Sequence, residues 1–280
     1  MPSMKTIKRR MTSVGTTQKI IRAMGMVAAS KLQKDRPRLL SARLFLEEAK
    51  KIVEGLQRCE DAGENAFFTP RDVKNTAYVV ITSDRGLCGS YNANLIEKAL
   101  AHMNERKNEK VIAIGRKGYD VLKRHGKSVL YRYAEMLETA FYGDAERVAA
   151  FLLSQYASGE IDEAYVAYTR FETALTHVPC VERVLPLEQK PAVQADGMKY
   201  EQSVHSFIDH AVPLYLSAFF YAALHESTAC EQAARMVSTD SATKNAENII
   251  QELTRVYNRR RQASITQEIS EVVNSANMLK

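Results

Sequence analysis

The chain has 280 residues, of which 45% are hydrophobic and 26% are charged, with a formal net charge of +6. This composition is that of an ordinary soluble protein, and it excludes the disordered and fibrous classes. The small basic excess permits an acidic partner but does not require a nucleic acid.

The four cysteines, Cys59, Cys88, Cys180 and Cys230, show neither CxxC nor Cys/His spacing. The pattern argues against a zinc site and against a disulfide framework, so we expect reduced thiols. The longest strongly apolar run without charge, 211–224, has only 14 residues. A spanning helix needs roughly 20, so we predict no membrane crossing.

The first segment has apolar residues in alternating steps of four and three, which predicts a helix with a heptad seam. The seam residues are Ile7, Met11, Val14, Ile21, Ala28 and Leu32, with Gln18 and Gly25 in the intervening places. We expect the helix to extend toward Leu56, with a kink or a restart at Pro37. The first acidic residue is Asp35, and a basic, acid-free start is also typical of an organelle transit peptide.

The middle of the chain alternates β-branched runs with amphipathic stretches, which predicts an α/β domain over 75–190. The expected strands are 77–82, 110–115 and 127–133, and the expected helices are 92–106, 116–125 and 144–156. Two later runs, 164–171 and 175–187, leave no room for a helix between them and predict an antiparallel pair. The expected fold is therefore a mostly parallel, Rossmann-like sheet.

The last segment, 202–280, is the longest periodic stretch and predicts one long helix. Its four-three positions are Ala242, Ala246, Ile249, Leu253 and Val256, and then Ile265, Ile269, Val272, Ala276 and Leu279. Residues 1–60 and 202–280 can bury both seams by forming one antiparallel coiled coil. An ordinary bundle of shorter helices is the alternative.

The loop 83–92 follows the first strand, at the sheet edge where α/β domains bind ligands. It matches neither GxGxxG nor GxxxxGK[ST], so a phosphate cradle is not indicated. A nucleophilic Cys88 would need a base and an orienting group, and the six histidines lie in no such context. A structured turn with a buried thiol is favoured over a thiol enzyme.

Basic clusters at 8–10 and 259–261 raise nucleic-acid binding as a second alternative. Neither cluster is interleaved with aromatic residues and no nucleic-acid motif is present, which argues against it. Both clusters would lie on one coiled coil, where they suit an acidic protein surface.

Three segments together resemble a known family. They are TIKRRMTSVGTTQKIIRAMGMVAASKL at 6–32, SDRGLCGSYNANLI at 83–96, and the tail EQAARMVSTDSATKNAENIIQELTRVYNRRRQASITQEISEVV at 231–273. In this order they resemble the gamma subunit of F-type ATP synthase of the bacterial type. The sequence ITQEIS after YNRRRQ is the most specific part.

The resemblance implies a central rotor shaft that couples rotation of the membrane c ring to conformational change in the beta subunits. It implies four partners: the alpha and beta subunits of the catalytic hexamer, the epsilon subunit and the c ring. It also implies a non-catalytic subunit with no cofactor, metal or nucleic acid. The expected place is the cytoplasmic side of the bacterial inner membrane, with membrane association only through the c ring.

The resemblance also implies partner contacts. Met24, Arg261 and Gln262 match positions that contact beta-subunit loops. Ile265, Ile269 and Val272 match the tip that turns in an apolar sleeve, and Asp84 and Arg85 match a region close to the ring of alpha and beta subunits.

Some positions depart from the family pattern. Asn274, Ser275 and Asn277 replace small residues and make the tip more polar, and Arg43 stands where the family often has a proline. No paired-cysteine insertion precedes the last helix, so we expect no thiol regulation. The match begins near Met1, which favours a first helix of the mature protein over a transit peptide.

Overall fold

The computed structural model describes residues 3–57, 65–106, 108–188 and 204–278, so Cys59 lies outside the described residues. The chain divides into two compact units. One consists of Met1–Ala28 and Met236–Lys280, which we call the coil unit, and the other is Ala29–Arg235, which we call the sheet unit.

The described elements follow the order expected from the sequence. They are α1 (Met4–Leu56), β1 (Thr76–Ile81), α2 (Tyr91–Met103), β2 (Glu109–Ile114), α3 (Arg116–Arg124), β3 (Ser128–Tyr133), α4 (Met136–Thr139), α5 (Tyr142–Ala157), β4 (Glu163–Phe171), β5 (His177–Leu185) and α6 (Val204–Met278). The short α4 was not predicted. The helix α1 does not restart at Pro37, which lies inside it at an exposed position.

The sheet has the strand order β3-β2-β1-β4-β5. Strands β3, β2, β1 and β4 pair in parallel, whereas β5 pairs with β4 in the antiparallel sense. The mostly parallel α/β fold and its final hairpin are therefore confirmed. The order changes direction at β1, because β2 and β4 lie on its two sides.

Both faces of the sheet are covered, as a parallel sheet requires. On one face, Val79 and Val166 of the sheet belong to a buried apolar cluster with Val53 of α1 and Phe220 of α6. On the other face, Tyr78 and its neighbours pack in a smaller cluster with residues of α2 and α3. The segments of α1 and α6 in the sheet unit thus form part of its core.

In the coil unit, the predicted seam of α1 is confirmed: its four-three positions are the buried or half-buried ones. The α1 and α6 helices approach closely there. A Cβ at Gly25 would lie 2.7 Å from Oγ1 of Thr239, and Nε2 of Gln18 donates to the carbonyl of Thr243 at 3.3 Å. Residue numbers rise on one helix as they fall on the other, so this coiled coil is antiparallel.

The predicted seam of α6 is wrong at two positions within 242–256, and the predicted seam positions Ile265, Ile269 and Val272 are exposed as well. Ile249 and Val256 are 41% and 46% exposed, and their neighbours Ile250 and Tyr257 are half-buried in their place. Both pairs of adjacent residues are apolar or aromatic, so steps of three and of four fit the sequence equally well. From the buried Ala246, the observed steps are four, three and four, whereas the prediction has three, four and three.

The sequence predicts no membrane crossing, but among the described residues one helix is long and apolar enough to span a membrane. A window within Ser206–Ser275 of α6 has a mean hydropathy of 1.3, and 61% of that window is buried inside the fold. Burial of this extent is expected for a core helix, since most of its apolar surface already contacts protein.

Candidate functional site

The carboxyl edge of the sheet is where ligands bind in α/β folds, and here the loop after β1 closes on itself. The backbone N–H of Ser83 donates to Oδ1 of Asn92 at 3.0 Å, and Nδ2 of Asn92 donates to Oγ of Ser83 at 2.7 Å. Oγ of Ser83 in turn donates to the carbonyl of Arg85 at 2.7 Å. The polar groups of the loop therefore bind one another.

Side chains at the end of β1 and in the loop after it accept hydrogen bonds from the amino end of α3. The N–H of Arg116 donates to Oδ1 of Asp84 at 2.9 Å, and the N–H of Gly118 donates to Oγ1 of Thr82 at 2.8 Å. At Gly115, whose φ is +91°, a Cβ would lie 1.9 Å from the carbonyl oxygen of Thr82. Two amides at the amino end of α3, a position where helices can bind anions, are thus bonded within the chain.

The crevice between β1 and β4, at the switch point of the sheet, is covered by α6. Arg235 donates to the carbonyl of Gly86 at 3.4 Å, and Sγ of Cys230 donates to the carbonyl of Thr169 at 3.5 Å. Arg235 also pairs with Glu231 at 2.5 Å. The helix α6 therefore lies over the place where this fold usually holds a ligand.

The geometry at Cys88 does not support nucleophilic catalysis. The thiol is buried, and burial raises its pKa, although a reactive thiol requires a lowered one. Its hydrogen-bond neighbours are Oγ of Ser83 at 3.7 Å, Nδ2 of Asn92 at 3.2 Å and the carbonyl of Arg85 at 3.9 Å, none of which is a general base. Within the described residues, no group of three or more His, Cys, Asp or Glu side chains could hold a metal ion.

A shallow groove of about 540 Å³ lies between α2 and α3. Its apolar floor includes Ile96 and Val121, and Lys117 and Asp120 stand on its rim. Charged groups of both signs line the groove, among them Glu97 and Arg124.

The residues expected to contact partners fall into two groups that the structure places in different units. Met24 is half-buried beside the seam of the coil unit, and Arg261 and Gln262 are exposed. In the sheet unit, Asp84 is half-buried by its bonds to α3, whereas the Arg85 side chain is 72% exposed and pairs with Glu138 at 2.8 Å.

The tip of α6 in the coil unit presents apolar side chains to solvent in this chain. Ile265, Ile269 and Val272 are 46%, 58% and 69% exposed. Larger exposed apolar patches are typical of protein interaction surfaces. Because α1 begins at Met4, it leaves this tip without a helical neighbour from α1 in the coiled coil.

Positive charge dominates both helices of the coil unit next to this tip. The first acidic residue of α1 is Asp35, and α6 has no acidic residue between positions 253 and 267. A positively charged surface attracts acidic partners and accelerates their association.

Sequence reasoning missed the polar groups that attach α1 and α6 to the sheet. The sequence marks Arg43 only by the absence of a proline, whereas in the structure Arg43 forms an ion pair with Glu226 at 2.6 Å. Asp84 was expected at a partner contact, and its observed bonds are within the chain. A long-range pair between helices leaves no mark in a single sequence, because charged residues on helices usually face solvent.

Comparison with known proteins identifies the class. A family model described as ATP synthase matches residues 3–279. An ATP synthase gamma chain of Alkaliphilus metalliredigens is 38% identical over 285 residues, which is 99% of both chains. A gamma chain of Heliobacterium modesticaldum is 38% identical over 286 residues and again covers 99% of both.

Solved structures agree on the fold. A chain from the central stalk and c ring of the Tetrahymena thermophila mitochondrial ATP synthase is 26% identical, with a TM-score of 0.62 over 80% of this chain and 99% of that one. A chain from the Euglena gracilis enzyme is 17% identical, with a TM-score of 0.71 over 99% and 94%. The fold and these matches define a subunit of the membrane-associated ATP synthase complex. More particularly, the chain belongs to the family of F-type ATP synthase gamma subunits, and its role is that of the central stalk.

Proposed function

We propose that this chain is the non-catalytic rotor shaft that couples ion-driven rotation of a membrane ring to ATP synthesis in beta subunits. The observation that carries the proposal is the match to gamma chains along 99% of the sequence, together with a ligand crevice filled by α6. A subunit whose own side chains occupy that crevice has no room there for a nucleotide.

The physical basis of coupling is asymmetry. A single chain with one coiled coil cannot present the same face to identical sites arranged in a ring. The beta subunits are therefore held in different conformations at any moment, and rotation of the coil exchanges them.

The partner contacts follow from the chemistry of each surface. The exposed tip residues Ile265, Ile269 and Val272 suit an apolar sleeve of alpha and beta subunits, because non-directional contacts do not lock at one angle. Arg261 and Gln262, with Met24 on the other helix, suit polar loops of the beta subunits.

The proposal also assigns a role to each segment of the chain and a location to the complex. Residues 1–60 and 202–280 serve as the coiled coil, and 75–190 serve as the α/β domain that contacts the epsilon subunit and the c ring. Asp84 and Arg85 lie at the edge of that domain. The complex is located on the cytoplasmic side of a bacterial inner membrane, which the chain reaches only through the c ring.

The test is co-expression of a tagged chain with its alpha and beta subunits, followed by purification on the tag. We expect a complex that contains all three and hydrolyses ATP. As a matched control, a chain that lacks 265–280 should bring down much less alpha and beta subunit. Equal recovery with both chains, or recovery of neither partner, contradicts the proposal.

A further inference from the structure

One ion pair in the sheet unit joins α1 to α6. Nε of Arg43 donates to Oε1 of Glu226 at 2.6 Å, and Nη2 of Arg43 donates to Oε2 of Glu226 at 2.9 Å. This is the two-bond arrangement that fixes both the distance and the relative orientation of a guanidinium and a carboxylate.

The same two side chains hold the end of β4. Nη2 of Arg43 donates to the carbonyl of Phe171 at 2.6 Å, and the N–H of Phe171 donates to Oε2 of Glu226 at 2.7 Å. Phe171 is the last residue of β4. Arg43, Glu226 and the backbone of Phe171, which we call the Arg43 clamp, therefore close a network across two helices and one strand.

The surroundings strengthen these bonds. The Glu226 side chain is only 7% exposed and that of Arg43 is 37% exposed, so water competes little for the carboxylate. The hydrogen bond to Glu226 raises the pKa of Arg43, so the guanidinium stays charged. A lysine could not reproduce the arrangement, because a single ammonium lacks the planar pair of donors.

The clamp differs in kind from the apolar contacts around it. Val53, Leu216 and Phe220 bury α1 and α6 in the core beside the sheet. Such contacts are non-directional, since the hydrophobic effect depends on the buried area and not on an angle between groups. Hydrogen bonds weaken steeply with angle, so the clamp opposes rolling or sliding of a helix.

A purely stabilising role does not account for the clamp. A buried ion pair contributes little net stability, because desolvation of the charges offsets their attraction, and apolar replacements of both partners are often neutral. The property that such a pair does supply is a fixed arrangement of the elements that it joins.

We propose that the Arg43 clamp positions α1 and α6 on the sheet so that torque passes between the α/β domain and the two helices without slippage. This inference rests on the proposed function as a rotor shaft. Arg43 and Glu226 are positioning residues, since they touch no substrate.

The experiment uses the assembled enzyme in membrane vesicles and compares three chains. Arg43→Met with Glu226→Gln removes both charges but keeps apolar contact and an acceptor for the N–H of Phe171. Arg43→Lys keeps the charge and loses the paired donors. The control, Lys51→Met with Glu48→Gln, removes an exposed pair of equal length, 2.6 Å, that joins α1 only to itself.

Two quantities are measured: the amount of assembled complex, and the ions pumped per ATP hydrolysed. We expect both clamp variants to assemble within about twofold of the wild type and to lose at least about threefold in pumping per ATP, because directional bonds to charged groups are lost. The control pair should change neither quantity.

Two results overturn the inference. One is unchanged pumping per ATP in the clamp variants, whatever the yield. The other is full rescue by Arg43→Lys, which would show that charge alone is sufficient. Failure of the wild-type chain to assemble or pump would instead overturn the proposed function and the inference together, so the two failures are distinguishable.

Discussion

Single glycines in the coil unit differ in what an added methyl group would meet. A Cβ at Gly25 would lie 2.7 Å from Oγ1 of Thr239, whose hydroxyl already donates to the carbonyl of Met236 at 3.0 Å. At Gly15 the nearest atom would be Cδ1 of Ile250, at 4.0 Å, which is an ordinary contact. The two helices therefore need a glycine at position 25 and not at position 15.

This contrast predicts opposite effects of the same substitution. Gly15→Ala should raise the free energy of unfolding by about 1 kcal/mol through helix propensity. Gly25→Ala should lower it by about 1 kcal/mol, because overpacking costs more than propensity contributes. Urea unfolding followed by helical circular dichroism tests the pair, and stabilisation by both substitutions would refute the close approach at Gly25.

His225 is a buried residue of α6 whose imidazole has a lowered pKa. Neither ring nitrogen has a hydrogen-bond partner among the described residues, and the ring packs edge-on against Tyr221 with 4.6 Å between centroids. Burial, followed by the nearby charge of Arg38, lowers the pKa of His225 from 6.5 to about 4. The folded chain therefore holds this imidazole neutral.

The sign of the pH effect follows from that lowered pKa. Between pH 6.5 and about 4 the unfolded chain binds more protons at His225, so its contribution to stability is present above pH 6.5 and is lost as the pH falls. The slope approaches about 1.4 kcal/mol per pH unit. His225→Met should therefore stabilise the chain more at pH 5 than at pH 7.5, in chemical unfolding at both values. An equal effect at both values would contradict it.

At the scale of elements, Asp84 joins the loop after β1 to two later segments. Its Oδ1 accepts the N–H of Arg116 and its Oδ2 accepts the N–H of Glu135, both at 2.9 Å. Asp84→Ala leaves the amino end of α3 without this acceptor and should cost about 1 kcal/mol of unfolding free energy. Asp84→Asn should retain about half of the contribution. A loss of partner binding with unchanged stability would indicate instead that Asp84 acts at an interface.

The end of α6 allows a truncation series to separate folding from assembly. Removal of 274–280 deletes about two helical turns and should leave a functional though less stable complex. Removal of 265–280 deletes the exposed tip and should sharply reduce complex yield, while the thermal stability of the isolated chain stays nearly unchanged. Loss of ATP-driven pumping at the shorter deletion, with yield intact, would show that the tip itself transmits force.

The elements and the sheet could be predicted from the sequence because their signals are local. Apolar periodicity identifies α1 and α6, and β-branched runs identify the strands of the sheet. The seam of α6 could not be placed, since Ile249 and Ile250 offer two apolar choices one position apart. The packing of the opposite helix decides between them, and that information is not local.

The candidate site was predictable only in its location. The loop after β1 lies at the edge where the fold predicts it, but nothing in its sequence shows that Asp84 fills the amino end of α3. The partnership of Arg43 and Glu226 spans 183 positions and depends on three elements meeting. The function followed from the resemblance to a family, because the residues of the loop do not by themselves indicate a reaction.

At the scale of the whole molecule, the filled crevice predicts that the isolated chain hydrolyses no ATP. The carefully purified chain should give no turnover above a matched blank, and Cys88→Ser should change nothing. Measurable turnover that disappears with Cys88→Ser would contradict this and would revive the thiol-enzyme alternative.

Rotation of this chain inside its complex is the central claim, and single-molecule observation tests it most directly. The alpha and beta subunits are fixed to a surface, and a bead is attached through Lys123→Cys on the exposed face of α3, in a chain that also carries Cys59→Ser. Cys88, Cys180 and Cys230 are buried and therefore protected from the labelling reagent. Addition of ATP should drive the bead stepwise in one direction. ATP hydrolysis by the same complexes with only random motion of the bead would contradict the account.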